Sequence, residues 1–63
     1  MEERKQAIIK RLRKGGFSEG VHELQRVIEV TGLEIAGTDQ GVSVWEDGTS
    51  EVHVRFRVRL PEP

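Results

Sequence analysis

Residues Glu51 to Leu60 read EVHVRFRVRL, and every second one is apolar: Val52, Val54, Phe56, Val58 and Leu60. Between them stand His53, Arg55, Arg57 and Arg59. A period of two is the mark of a strand with one face toward a core. This strand therefore has an apolar face and a cationic face. From Val52 to Leu60 it reaches ~30 Å.

Upstream, GVSVW (Gly41 to Trp45) alternates in the same way, and Glu46-Asp47-Gly48 suits a three-residue hairpin loop closing on glycine. Side chains keep to one face only when paired residue numbers sum to an even value. A loop closing Trp45 on Thr49 meets that condition. It places Val42 and Val44 with Val52, Val54 and Phe56, and Trp45 and Ser43 with His53 and the arginines. LEIAG (Leu33 to Gly37) reads as a further short strand, and GTDQG after it as a turn. The expected sheet has three antiparallel strands: 33–37, 41–45 and 51–60. On that reading Phe56 to Leu60 outrun their hairpin partner, leaving an exposed edge that a second copy would cover.

Two helices precede the sheet. Over 2–14, Ile8, Ile9 and Leu12 form a narrow apolar stripe, with acids at the start and Lys10, Arg11, Arg13 and Lys14 at the end, as the helix dipole favours. Gly15 and Gly16 end it. Over 18–31, Ser18 is the expected N-cap, and Val21, Leu24, Ile28 and Thr31 recur at helical spacing. Val27, Ile28, Val30 and Thr31 are β-branched, so the alternative is one helix followed by a β-meander. Either way residues 1–63 form a single small α+β domain.

A chain of 63 residues has a marginal core and commonly needs a staple. It holds no cysteine, so disulfides and thiolate zinc sites are excluded. His22 and His53 have no metal-site spacing, and no cofactor motif occurs. Self-association is the remaining staple, and a dimer is its simplest form. No run approaches a membrane span, and the N-terminus lacks a signal peptide's apolar core. A cytoplasmic protein without a membrane partner is expected. No patterned base accompanies Ser18, Ser43 or Ser50, and KGGFSEG lacks the order of a phosphate loop, so an enzyme is not expected.

Charge is uneven: +4 over residues 1–14, −7 over 15–51 and +2 over 52–63, for a net −1. Basic ends flanking an acidic middle suggest neutralisation, within one chain or between two. The leading expectation is a non-enzymatic assembly module that self-associates through its last strand, with Val54, Phe56, Val58 and Leu60 as seam or core. The second reading is a nucleic-acid-binding regulator. There Trp45 would stack on a base while His53, Arg55, Arg57 and Arg59, with Lys10, Arg11 and Lys14, meet phosphates. A pI near 6.1 disfavours it. A helix-turn-helix is disfavoured too, because its recognition helix would carry Glu19, Glu23 and Glu29 against Arg26.

The last third of the chain, GVSVWEDGTSEVHVRFRVRLPE, resembles the tail of the bacterial cell-division topological specificity factor: a helix, then a hairpin whose alternating strand ends in Leu-Pro-Glu. That family's strand is more neutral or acidic where this chain has arginines. No function or site residue is carried over from it.

Overall fold

The computed structural model of the chain describes residues 2–62. Helix α1 spans Glu2–Lys14 and α2 spans Phe17–Val30; strands β1, Glu34–Val44, and β2, Ser50–Arg59, follow. The α+β class and both helices are as the sequence predicts. The sheet is not: it has two antiparallel strands, not three.

The strands expected at 33–37 and 41–45 are one strand, with Leu33 and Trp45 just outside its ends, and the expected GTDQG turn runs straight through it. Thr38, Asp39 and Gln40 lie opposite Phe56, Arg55 and Val54. A ten-residue β2 offers ladder partners along this whole stretch, and the ladder overrides local turn propensity. Phe56 to Arg59 therefore have partners within the chain, and strand length gives no reason for a second copy. Pairing is regular from Val44↔Ser50 to Gly37↔Arg57, then shifts by one residue between Gly37 and Ile35. Ala36 is the extra residue of a bulge. It returns Ile35 to a place opposite Val58 and Glu34 to a place opposite Arg59.

The hairpin closes as the Glu-Asp-Gly loop predicts. The Trp45 amide donates to the Thr49 carbonyl at 3.0 Å, and the Gly48 amide to the Trp45 carbonyl at 3.4 Å. Asp47 Oδ1 accepts from the Thr49 amide at 2.9 Å and its hydroxyl at 2.6 Å. Gly48 stands at φ 94°, a left-handed conformation unfavourable for any residue with a Cβ.

Residues 24–30 are helical, so the meander alternative falls. A stripe of helical spacing holds the helix on the hairpin: Val21 is buried, and Gln25 and Ile28 are half-buried, while Val27 and Val30 stay exposed. Ser18 is not the cap. Gly16, at φ 82°, takes that place, and Ser18 lies inside the first turn. At the other end the Thr31 amide donates to Ile28 O and the Gly32 amide to Glu29 O.

Among the described residues Gln25 and Arg4 tie the helices to the hairpin, Arg4 through the carbonyls of both Trp45 and Thr49. Gln25 Nε2 donates to Thr38 Oγ1 at 3.0 Å, which sets α2 over the valine face, and Arg4 Nη1 donates to the Trp45 carbonyl at 2.8 Å. Both helices contact β1 and leave β2 largely clear. Among the described residues Val21 is the one buried apolar side chain. The molecule measures 47 × 22 × 14 Å with a radius of gyration of 14.7 Å. A compact chain of this length would have about 11 Å.

Two glycines should respond to alanine in opposite directions. Gly48→Ala places a Cβ in the left-handed region and should destabilise the fold by about 1–2 kcal/mol. Gly20 lies in α2 with no atom near its missing Cβ. Gly20→Ala should stabilise by roughly 0.4–1 kcal/mol. Urea midpoints of the two variants should bracket that of the parent.

Candidate functional site

Even-sum pairing sorts the hairpin into two faces. Val42, Val44, Val52, Val54 and Phe56 share the helix side, joined by Ile35 and Val58 beyond the bulge. Trp45, Ser43, Asp39 and Glu34 share the other side with Glu51, His53, Arg55, Arg57 and Arg59.

The arginine face is a ladder of alternating contacts. Arg59 Nη1 donates to Glu34 Oε1 at 2.7 Å, and Arg55 Nη2 to Asp39 Oδ2 at 2.5 Å. Between these pairs Arg57 lies across Gly37, where a Cβ would stand 2.8 Å from its Nη2. Next along, the His53 ring lies across Gly41, where a Cβ would stand 3.0 Å from Cε1. Each glycine leaves room for a large side chain from the facing strand. The hydrogen bond and charge of Arg55 hold the Asp39 carboxyl below its ordinary range, with a smaller contribution from His53. Both ion pairs are exposed, so each adds little to stability.

Formal charges on this face cancel. Arg55, Arg57 and Arg59 stand with Glu34, Asp39 and Glu51. Two arginines are engaged with carboxylates; Arg57 and Glu51 have no ion-pair partner among the described residues. A shallow groove of about 450 Å³ runs past Gly37, Asp39, Arg55 and Arg57. Trp45 is half exposed at the hairpin tip. Lys10, Arg11 and Lys14 are exposed on α1 and form no hydrogen bond or ion pair with the arginine face among the described residues.

The helix side is only partly covered. Leu24 is 51% exposed, Val27 59%, Val52 42% and Val58 43%. Of the expected seam residues, Val54 and Phe56 are half-buried. Leu60 lies beyond β2 and is exposed. A groove of about 420 Å³ separates α1 from the hairpin, with Ile9, Leu12, Phe17, Val42 and Val52 among its walls.

Asp39 and Arg4 are contacts that sequence reading misses. Asp39 sits in a segment with turn composition, and Arg4 bonds a carbonyl more than forty positions away. Among the described residues, no cluster of potential metal ligands occurs, and no helix is long and apolar enough to cross a membrane. Comparison with protein-family models, curated proteins and solved structures gives no significant match for this chain.

Removing the guanidinium in Arg55→Gln should raise the Asp39 pKa back toward the ordinary aspartate range, read from its carboxyl shift in an NMR titration. Because Asp39 is depressed in the folded state, its contribution is complete above its unfolded-state value and lost as pH falls through the folded one. The parent should lose that increment on acidification, and Arg55→Gln should lack it.

Proposed function

We propose that this chain is a non-enzymatic assembly module whose function is self-association, with a homodimer as its simplest form. The observation that carries this reading is the uncovered apolar surface. The chain exposes 5361 Å². A compact globular protein of its mass would expose about 4,100 Å². The excess is about 1,200 Å² per chain. That excess counts polar and apolar surface together and accompanies the elongated shape; the part that favours a partner is its apolar side chains.

Composition of the exposed surface points the same way. Leu24 and Val27 on α2 and Val52 and Val58 on β2 are apolar side chains of core type, each 40–60% exposed. Burying each fully is worth ~1.5–3 kcal/mol, and about half of that is unrealised in the isolated chain. The charge blocks are complementary as well, with cationic ends and an acidic middle.

Nucleic-acid binding is the weaker reading. It rests on the half-exposed Trp45 and on Arg57, but the face that holds them carries no net formal charge. Lys10, Arg11 and Lys14 do not extend it. A phosphate-tracking surface needs an excess of cations.

Sedimentation equilibrium tests the proposal. The parent should dimerise at micromolar concentration, and Val52→Glu should weaken association at least tenfold while far-UV circular dichroism is kept. A parent that stays monomeric at high micromolar concentration would overturn it. Trp45 emission provides the second check: it should not respond to short single- or double-stranded nucleic acids at low salt. Quenching that salt reverses would favour the nucleic-acid reading instead.

A further inference from the structure

Granting that the chain self-associates, its hairpin also defines where and in what register. The two sheet edges differ. The β1 edge carries a bulge at Ala36, glycines at 37 and 41, and both helices nearby. Bulges and covering elements blunt an edge. Over Ser50–Arg59, β2 contains no glycine, proline or bulge, and the helices contact it less than they contact β1. Its free side is a regular row of unused backbone donors and acceptors.

The phase of that row follows from the hairpin. Trp45 and Thr49 are hydrogen-bonded to each other, and antiparallel ladders alternate. Glu51, His53, Arg55 and Arg57 therefore turn their backbone groups toward β1. Ser50, Val52, Val54, Phe56 and Val58 turn theirs outward. A second β2 can pair antiparallel with this edge only where outward groups meet, which requires an even sum. The same condition keeps valine side chains with valines.

We propose that two copies join along β2 into a four-stranded antiparallel sheet whose two-fold axis passes through Val54. Val54 then faces the partner's Val54, Val52 faces the partner's Phe56, and Ser50 faces the partner's Val58. On the opposite face Arg57 meets the partner's Glu51, twice by symmetry. These are the two charges of the ladder without an ion-pair partner among the described residues. Arg57 turns from Gly37 to make the contact; its guanidinium has no carboxylate to leave. His53 faces the partner's Arg55, whose charge Asp39 already balances.

Neighbouring registers do worse. An axis at Arg55 opposes Arg55 to itself, and an axis at Phe56 opposes Arg55 to Arg57. Like charges directly opposite are destabilising. An axis at His53 pairs the already engaged Arg55 with Glu51 and leaves Val58 outside the overlap. The Val54 axis combines the full Ser50–Val58 overlap with opposite charges and no like-charge contact.

Charge exchange tests the register separately from association itself. Arg57→Glu and Glu51→Arg each remove no ion pair from the isolated chain, since Gly37 and Ser43 stand opposite these positions. Each variant alone should dimerise at least tenfold more weakly than the parent, because like charges then meet twice. Mixing the two variants should restore a heterodimer of near-parental affinity. Singles that dimerise like the parent, or a mixture that gives no heterodimer, would overturn the register and leave the assembly reading standing. A monomeric parent would overturn both. A second readout uses the absence of cysteine. In this register Val54→Cys lies ~5.5 Å from its symmetry mate, within disulfide reach. Val52→Cys lies ~14 Å from its own. Mild oxidation should cross-link the first variant and not the second; the reverse result would overturn the proposal.

Discussion

The ladder that sets Val42 against Val52 governs the rest of the molecule. Side chains alternate along a strand, so a slip of one residue would send every valine to the solvent face and every arginine beneath the helices. The register is held at one end by the Glu-Asp-Gly loop, where the Asp47 carboxylate and the left-handed Gly48 fix the turn. At the other end the bulge at Ala36 adjusts it. Were the regular ladder continued, Ile35 would fall opposite Arg59. One extra residue instead gives Ile35 to Val58 and Glu34 to Arg59, so both faces stay unmixed over the full length of β2.

A hairpin this long has an apolar face larger than two short helices can cover. Helix α1 offers the narrow stripe of Ile8, Ile9 and Leu12, and α2 directs Val21, Gln25 and Ile28 inward. Leu24 and Val27 are carried off that stripe and left exposed. The helices lie over β1, so the uncovered apolar surface gathers along β2 and the outer flank of α2. Ordering each residue costs about 1–2 kcal/mol of conformational entropy, offset mainly by burial. With Val21 the one buried apolar side chain among the described residues, the isolated chain has little with which to offset it, and the self-association proposed above would add to it.

Much of this was legible in the residues. Period-two alternation in Val52–Leu60, the loop chemistry of Glu46–Gly48 and the parity rule gave the hairpin and its faces. The glycines after Lys14 and Val30, with the apolar stripes, gave both helices. What misled was local composition. Gly37, Thr38, Asp39, Gln40 and Gly41 are turn formers, yet they serve here as strand. Gly37 and Gly41 leave space for Arg57 and His53, and Asp39 meets Arg55. Those reasons lie across the ladder, some sixteen residues away, outside any local window. Ser18 misled for the opposite reason: it has N-cap chemistry, but Gly16 already caps the helix two residues earlier.

The neutral ladder also bears on how close two copies can come. A bare row of Arg55, Arg57 and Arg59 would protect the β2 edge, because like charges on an edge strand repel a second one. Glu34 and Asp39 remove two of those three charges from the contest by pairing within the chain. One cation and one anion then remain, six residues apart on the same face of the same strand. A two-fold axis midway between them brings each to the other's mate. In the register proposed above, that alignment of two copies would satisfy both charges. Pairing inside the hairpin and the register proposed at its edge thus rest on the same even-numbered ladder.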